Sequence, residues 1–361
     1  MTQLYKNLQI EKAEASKLKI KAKVDASSLH ETEDKILEEK RKNMVIPGFR
    51  KGEAPKDLVL KQLDPQTIKE EAAKELAAQA LAQIIVENQL KVVGNPNIVL
   101  GELKDGQDIE LEADILVLPE AKIKDNYKEA VAKINTEPQE EVVVTDEDVD
   151  KVILHLRREK ARILTLETMQ KNPDKKIEMP DFNQIPEEKL PQLDEKDFKE
   201  LAGAENMDDF KQKVKENIKT EKELAQKEAR RAKIAEELLK HVEIEMPDEI
   251  VQMELDRAKM QMEQDLQMMG LTLDAYLAQI GKNKEEFENE MKEAARKRAI
   301  LQIVLDTIAK EQNITPDPEE VKKEAEHILQ HTPQANPQEV YAFVDAQISN
   351  NKVFEYLESL K

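Results

Sequence analysis

Between Lys17 and Val24 apolar and basic positions alternate without a break, with Leu18, Ile20, Ala22 and Val24 on one side of the chain and Lys17, Lys19, Lys21 and Lys23 on the other. Successive side chains of a strand point to opposite faces, so this period of two predicts a half-buried β-strand. Ile109 to Val117 repeats the period with opposite charge, turning Ile109, Leu111, Ala113 and Ile115 inward and Glu110, Glu112 and Asp114 outward. As neighbours, the two strands would set Lys against carboxylate, each cross-strand pair adding about 0.2–1 kcal/mol. Between them the period lengthens. From about Pro65 to Leu90, Ile68, Ala72, Leu76, Ala80 and Ile84 recur at helical spacing, and a shorter helix begins near Ser28. Two helices inside a small antiparallel sheet predict an α+β domain over residues 1–116.

After Pro119 the pattern weakens into an extended stretch. VVVTDEDVDKVILHLRREKAR then opens a helix on a capping-box-like pair, Thr145 and Asp148, so residues 117–165 read as an extended linker and a linker helix. Pro173, Pro180, Pro186 and Pro191 follow among charged residues; a continuous helix is excluded, and 166–194 reads as an extended, Pro-rich linker. The remainder, 195–361, reads as a helical domain. Phe210, Val214 and Ile218 start a stripe that Leu224, Ala229, Ala232, Leu238 and Leu239 continue. Pro247 begins a second helix that Gly270 is placed to end, Asn283 with Glu286 caps a third, and further helices follow Pro316 and Asn336. The expected fold is mainly α, with an N-terminal α+β domain ahead of an all-α multi-helix body.

Composition agrees. Of 361 residues 37% are charged and only 3% aromatic, Gly numbers 8 and Trp is absent, a mixture suited to long amphipathic helices. A net charge of −20 argues against indiscriminate nucleic-acid binding, so any anionic partner must meet a local basic patch. The absence of Cys removes disulfides, thiolate nucleophiles and Cys-based zinc sites. The first residues lack the apolar core of a signal peptide, and the most apolar run, Leu76 to Val86, is interrupted by Gln79 and Gln83; a cytoplasmic protein without membrane contact is expected.

Little chemistry is visible. His327 and His331 share a helical face but lack a third ligand nearby, and no metal is expected. The few, dispersed glycines form no P-loop, dinucleotide fingerprint or nucleophile elbow, so neither catalytic residues nor a cofactor are called. The basic residues Lys292, Arg296, Lys297 and Arg298 read as an ordinary solvated helix face. Methionine is the unusual feature: six of 12 fall at Met246, Met253, Met260, Met262, Met268 and Met269. Such side chains suit a surface that accepts many apolar partners, or they fill a helix–helix core, and periodicity alone favours the core. On the first reading Met253, Met260 and nearby Leu266 are the candidate client-binding residues.

The stretch IPGFRKGEAPKD remains. Five Lys/Arg stand against one Glu from Arg41 to Lys56, and Pro47, Gly48, Gly52 and Pro55 shape a loop that leaves Phe49, Arg50 and Lys51 at its tip. By physics alone a plain connecting loop is favoured over a docking site. A GFRKG-x-x-P loop between two helices inside a small sheet, however, resembles the ribosome-docking signature of bacterial trigger factors. VVVTDEDVDKVILHLRREKAR is similar to that family's linker helix, and EMPDEIVQMEL and TPDPEEV to parts of its C-terminal domain. The resemblance implies an ATP-independent chaperone without a cofactor. It implies that Gly48, Phe49, Arg50, Lys51 and Gly52 form the loop that meets ribosomal protein and ribosomal RNA at the tunnel exit. It further implies a helical body with arm-like hairpins that holds unfolded or nascent chains, and a homodimer when free. Glu53 departs from the family's usual basic residue, and 166–194 stands where the family carries a prolyl isomerase domain. The rival readings are a ribosome-independent holdase or adaptor, such as a SurA-like chaperone domain, and a prolyl isomerase.

Overall fold

The structure, a computed structural model, describes residues 3–361 apart from 15, 47–48, 54, 56–57, 60–61, 105 and 173–178. The protein is mainly α, with a small four-stranded antiparallel sheet and a short two-stranded one among the described residues, and divides into two compact units. The first comprises Met1–Asp125 and Leu239–Val353, the second Asn126–Leu238 and Phe354–Lys361.

In the first unit, β1 (Tyr5–Glu14), β2 (Lys17–Val24), β3 (Val92–Leu100) and β4 (Ile109–Val117) form a sheet in the order β1-β2-β4-β3. The two alternating segments are its central pair: Lys19 lies opposite Asp114, Lys21 opposite Glu112 and Lys23 opposite Glu110. Lys19 and Lys21 lie 3.9 and 4.0 Å from Glu112, and Lys23 3.9 Å from Glu110; these partly exposed pairs contribute little. The stronger determinant of register is Ile20, Val24, Leu111 and Ile115 on the other face, all buried against Leu76, Ala80 and Ile84 of α2 (Pro65–Glu87). Asp64 caps α2 by accepting from the N–H of Gln66, and Pro65 occupies the first turn. The two edge strands escaped the sequence reading. β3 contains Gly94, Asn95 and Pro96, residue types that favour turns; Gly94 has φ +71° and the pairing shifts register between Val93 and Asn97, a bulge of the kind edge strands tolerate. β1 is likewise irregular, with Asn7 at φ 53° and a shift between Lys6 and Gln9.

The same unit contains the short pair β5 (Lys122–Ile123) and β6 (Val242–Glu243) and, among the described residues, five further helices after β6. Two are α7 (Asp248–Met268) and α9 (Lys284–Glu311), which pack through Ile250, Val251, Leu255, Ala295, Ala299 and Ile303, with Val93, Leu116 and Leu118 of the sheet against the same cluster. The short α8 (Leu273–Ile280) joins them into a hairpin. Gly270, at φ +69°, ends α7 as expected: its left-handed backbone lets the N–H of Leu271 reach the Leu266 carbonyl at 2.9 Å. Helices α10 (Pro318–His331) and α11 (Pro337–Ser359) meet through Val321, Ala325 and Val344.

The second unit holds α3 (Tyr127–Asn135), α4 (Asp146–Lys171), α5 (Glu195–Ala202) and all but the end of α6 (Met207–Lys240). Its core combines Val149, Ile153, Leu193, Phe198, Phe210 and Val214, and the Phe198 and Phe210 rings lie 5.2 Å apart. Thr145 and Asp148 form the expected capping box, and the Lys222 ammonium, 2.8 Å from Asp148, together with hydrogen bonds from Thr145 holds that carboxyl down at about 2. Two expectations change here. The segment after Pro119 contains α3, and residues 179–194 are not simply extended: they make two short 3-10 turns strapped along α4. Arg157 donates to the carbonyls of Glu187, Leu190 and Pro191, while Lys160 meets Asp194 at 2.8 Å and also Asp197, so Leu190 and Leu193 are buried. Proline excludes a helix there, but it does not prevent tertiary anchoring.

Candidate functional site

The basic loop leaves the end of α1 (Leu29–Asn43), whose last turn carries Lys40, Arg41 and Lys42, a favourable placement of cations at a helix C-terminus. Two of the three are engaged within the fold. Lys40 meets Glu71 of α2 at 2.8 Å, and Arg41 makes a fork with both oxygens of Glu38 at 2.6 and 2.9 Å. Beyond them Ile46 is buried with Leu37, Val59 and Ile68, which pins the loop to the helices beneath it. The N–H of Phe49 then donates to the Ile46 carbonyl at 3.0 Å, and the N–H of Glu53 to that of Arg50 at 3.0 Å. Gly52 occupies the third position of this second turn at φ +84°, as a type II turn requires. A Cβ on Gly52 would stand 3.2 Å from the Lys42 carbonyl oxygen, so the loop returns against the end of α1 more closely than a larger residue would permit comfortably.

The two turns leave Phe49, 41% exposed, beside exposed Arg50 and Lys51. Among the described residues no carboxylate pairs with Arg50 or Lys51. Of the five residues called for this site the structure thus brings four together; Gly48, with Pro47, lies outside the described residues. A phenyl ring and two available cations on a fixed turn can bind an apolar depression and phosphates side by side.

The second candidate surface is on the α7 hairpin. Met253 and Met260 are both exposed, Met260 at 59%, and the Met253 sulfur lies 3.7 Å from where a Cβ on Gly94 would stand. Leu266 differs: at 6% exposure it belongs to the interior of the hairpin, not to an open surface. Met268, 80% exposed, and Met269 complete an exposed group at the end of α7, while Met246 is buried. Periodicity favoured a core role for these methionines, but the structure leaves four of the six exposed; what could have pointed to Met268 and Met269 was their position immediately before the helix-ending Gly270. The His327 and His331 rings are 5.0 Å apart, and among the described residues no group of three His, Cys, Asp or Glu is placed to hold a metal. No helix among these residues is long and apolar enough to cross a membrane.

Comparison with known families agrees with the geometry. Residues 6–156 match the family described as bacterial trigger factor protein, and residues 206–359 match its C-terminus. The chain belongs to the trigger factor family. The curated trigger factor of Halalkalibacterium halodurans is 22% identical, covering 89% of each chain, and that of Anoxybacillus flavithermus is 25% identical, covering 88% of this chain and 89% of its own. That of Shouchella clausii is 23% identical over 95% of this chain and 93% of its own. The H. halodurans alignment runs over 389 positions, more than the 361 residues of this chain, so that relative carries residues with no counterpart here. A solved structure titled as the trigger factor chaperone covers 98% of this chain and 100% of its own at a TM-score of 0.47 and 18% identity, a likeness too low to add to the assignment. As a trigger factor the protein is a molecular chaperone. It is a form without the prolyl isomerase region: between its two matched segments the described residues comprise the end of α4, the strap and α5.

Proposed function

We propose that this trigger factor docks beside the ribosomal tunnel exit through Phe49, Arg50, Lys51 and the flanking Gly48 and Gly52, meeting ribosomal protein and ribosomal RNA. There it holds hydrophobic segments of emerging chains in the cytoplasm without ATP. The observation that carries this reading is the turn at Gly52, which displays an exposed ring and two cations without carboxylate partners among the described residues, on a chain of net charge −20. Residues 1–116 act as the docking module and 195–361 as the client-holding body, joined by the linker helix and the strapped Pro-rich segment. Co-sedimentation with ribosomes tests the docking, and the decisive variant is treated in the Discussion.

Client holding falls to the exposed methionines, because unbranched side chains repack against many apolar partners at low cost. Met253→Ser with Met260→Ser should leave thermal unfolding nearly unchanged, as exposed substitutions usually stay within about 0.5 kcal/mol. Suppression of aggregation of an unfolded protein should fall. Leu266→Ala provides the contrast: it should destabilise the hairpin by about 2–5 kcal/mol because it opens a cavity. Normal melting together with undiminished holding in the double Ser variant would remove these residues from the client surface.

The proposal includes no bond-breaking chemistry and no isomerase activity. A prolyl isomerase must lower a barrier of about 18–20 kcal/mol in an enclosed apolar site, and the segment between the matched regions contributes two aromatics, Phe182 and Phe198, of which Phe198 is committed to the core. On a short proline peptide the protein should act at background rate; robust catalysis would overturn this part of the reading.

A further inference from the structure

With no Cys in the chain, all of its sulfur is in 12 methionine thioethers, and these are the groups that two-electron oxidants attack. Among the described residues the exposed methionines are Met179, Met253, Met260, Met268 and Met269, and all but the first belong to α7 or its C-cap. At about 100° per residue, Met253, Met260 and Met268 fall within an arc of about 80° on that helix and extend along it for about 22 Å. Their accessibility is graded. Met268 and Met269 are 80% and 70% exposed, Met260 59% and Met253 42%. The Met253 sulfur lies 3.7 Å from where a Cβ on Gly94 would stand, so β3 shields one side of it. Met246, just before the same helix, is buried with Ile250, Val251 and Leu255. Sulfur is thus shielded at the start of α7 and open to solvent at its end.

We propose that Met253, Met260, Met268 and Met269 form a reversible oxidation site for peroxides, at which conversion to methionine sulfoxide turns client holding down and a methionine sulfoxide reductase restores it. This rests on the client-holding reading of the exposed methionines and adds their control. A thioether lone pair takes one oxygen from hydrogen peroxide as the O–O bond breaks, and the remainder leaves as water; the sulfur loses two electrons and the peroxide gains them. In the reverse step two thiols of the reductase become a disulfide and the same oxygen leaves as water. The effect on holding follows from polarity. A sulfoxide places a strong acceptor on a side chain that was apolar, and covering it with an apolar client that offers no donor weakens binding. Because these four side chains are exposed, the change alters the surface of the hairpin and leaves its core intact.

The test treats the full chain with hydrogen peroxide for increasing times, removes the oxidant, and follows peptide mass maps, thermal unfolding and suppression of aggregation of an unfolded protein. One oxygen should appear at Met268 and Met269 first, then at Met260, and last of the four at Met253, with Met246 unmodified and melting unchanged. The protein concentration needed for half-suppression should rise at least about fivefold. Incubation with reductases for both sulfoxide epimers and dithiothreitol should return it to its starting value. Variants are read as the ratio of holding after peroxide to holding before, which cancels their starting levels. Replacing all four by Leu should abolish the peroxide effect, whereas Met179→Leu should leave it as large as in the native chain. Oxidation of Met246 as fast as Met268 overturns the proposal, as does an equal loss of holding in the four-Leu variant or a loss accompanied by early melting. If Met253→Ser with Met260→Ser loses holding but mapped oxidation of the native chain does not, only the oxidation proposal fails. If that double variant holds normally, the client-holding reading itself fails.

Discussion

Deletion of Phe354–Lys361 is expected to unfold or loosen Asn126–Leu238 while the sheet and the α7 hairpin stay folded. The last eight residues complete the second unit although they are far from it in sequence. Leu357 is fully buried, and the side-chain amide of Asn135 at the end of α3 donates to the carbonyls of Leu357 and Leu360 at 2.8 and 2.9 Å. The Leu357 carbonyl, in the last turn of α11, otherwise accepts only a long bond from the N–H of Leu360 at 3.3 Å, and the Leu360 carbonyl lies just past the helix end, so Asn135 serves as a cap for this terminus. Arg231 of α6 donates to Glu358 at 2.8 Å with both side chains largely buried, and its guanidinium lies 5.2 Å from the centre of the Phe354 ring. Loss of the carboxylate from such a pair costs about 3–5 kcal/mol. Loss of the buried leucine adds about 2–5 kcal/mol. Together they rival the 5–15 kcal/mol that typically stabilises a domain. Hydrogen exchange should show protection lost across α3 and the second half of α6 but kept in α2 and β4. Unchanged exchange in α3 and α6 would contradict this account, and deletion of Lys361 alone, which is exposed, should change nothing.

What the sequence revealed and what it hid follow from range. The pairing of β2 with β4 was legible because each strand states its own period and charge, and the caps at Thr145, Pro247 and Asn283 lie within a turn of the helices they start. The strap at 179–194 was not legible as structure, since its order comes from Arg157 and Lys160, about thirty residues away on another element. The α3 helix and the irregular edge strands β1 and β3 carry weak local signals and owe their form to the partners they meet. At the candidate site the loop residues were readable from Gly and Pro placement, but the fate of each Met was not. Exposure on a helix depends on which faces its neighbours cover, so Met253 and Met260 stand open while Leu266, six residues after Met260, is buried.

The central claim is that a folded, acidic chain approaches the ribosome through three side chains on one turn. Phe49→Ala, Arg50→Ala and Lys51→Ala in a single variant should leave the fold intact, because the ring is substantially exposed, the cations lack carboxylate partners among the described residues, and the buried anchor Ile46 is untouched. Binding energy at interfaces concentrates in a few aromatic and arginine residues, so their joint removal should reduce affinity by at least a hundredfold, about 2.7 kcal/mol. The direct measurement is co-sedimentation of native and triple-variant protein with purified ribosomes, alongside their thermal unfolding. The account predicts equal melting, with the native chain in the ribosome pellet and the variant in the supernatant; a normally folded variant that pellets like the native chain would contradict it.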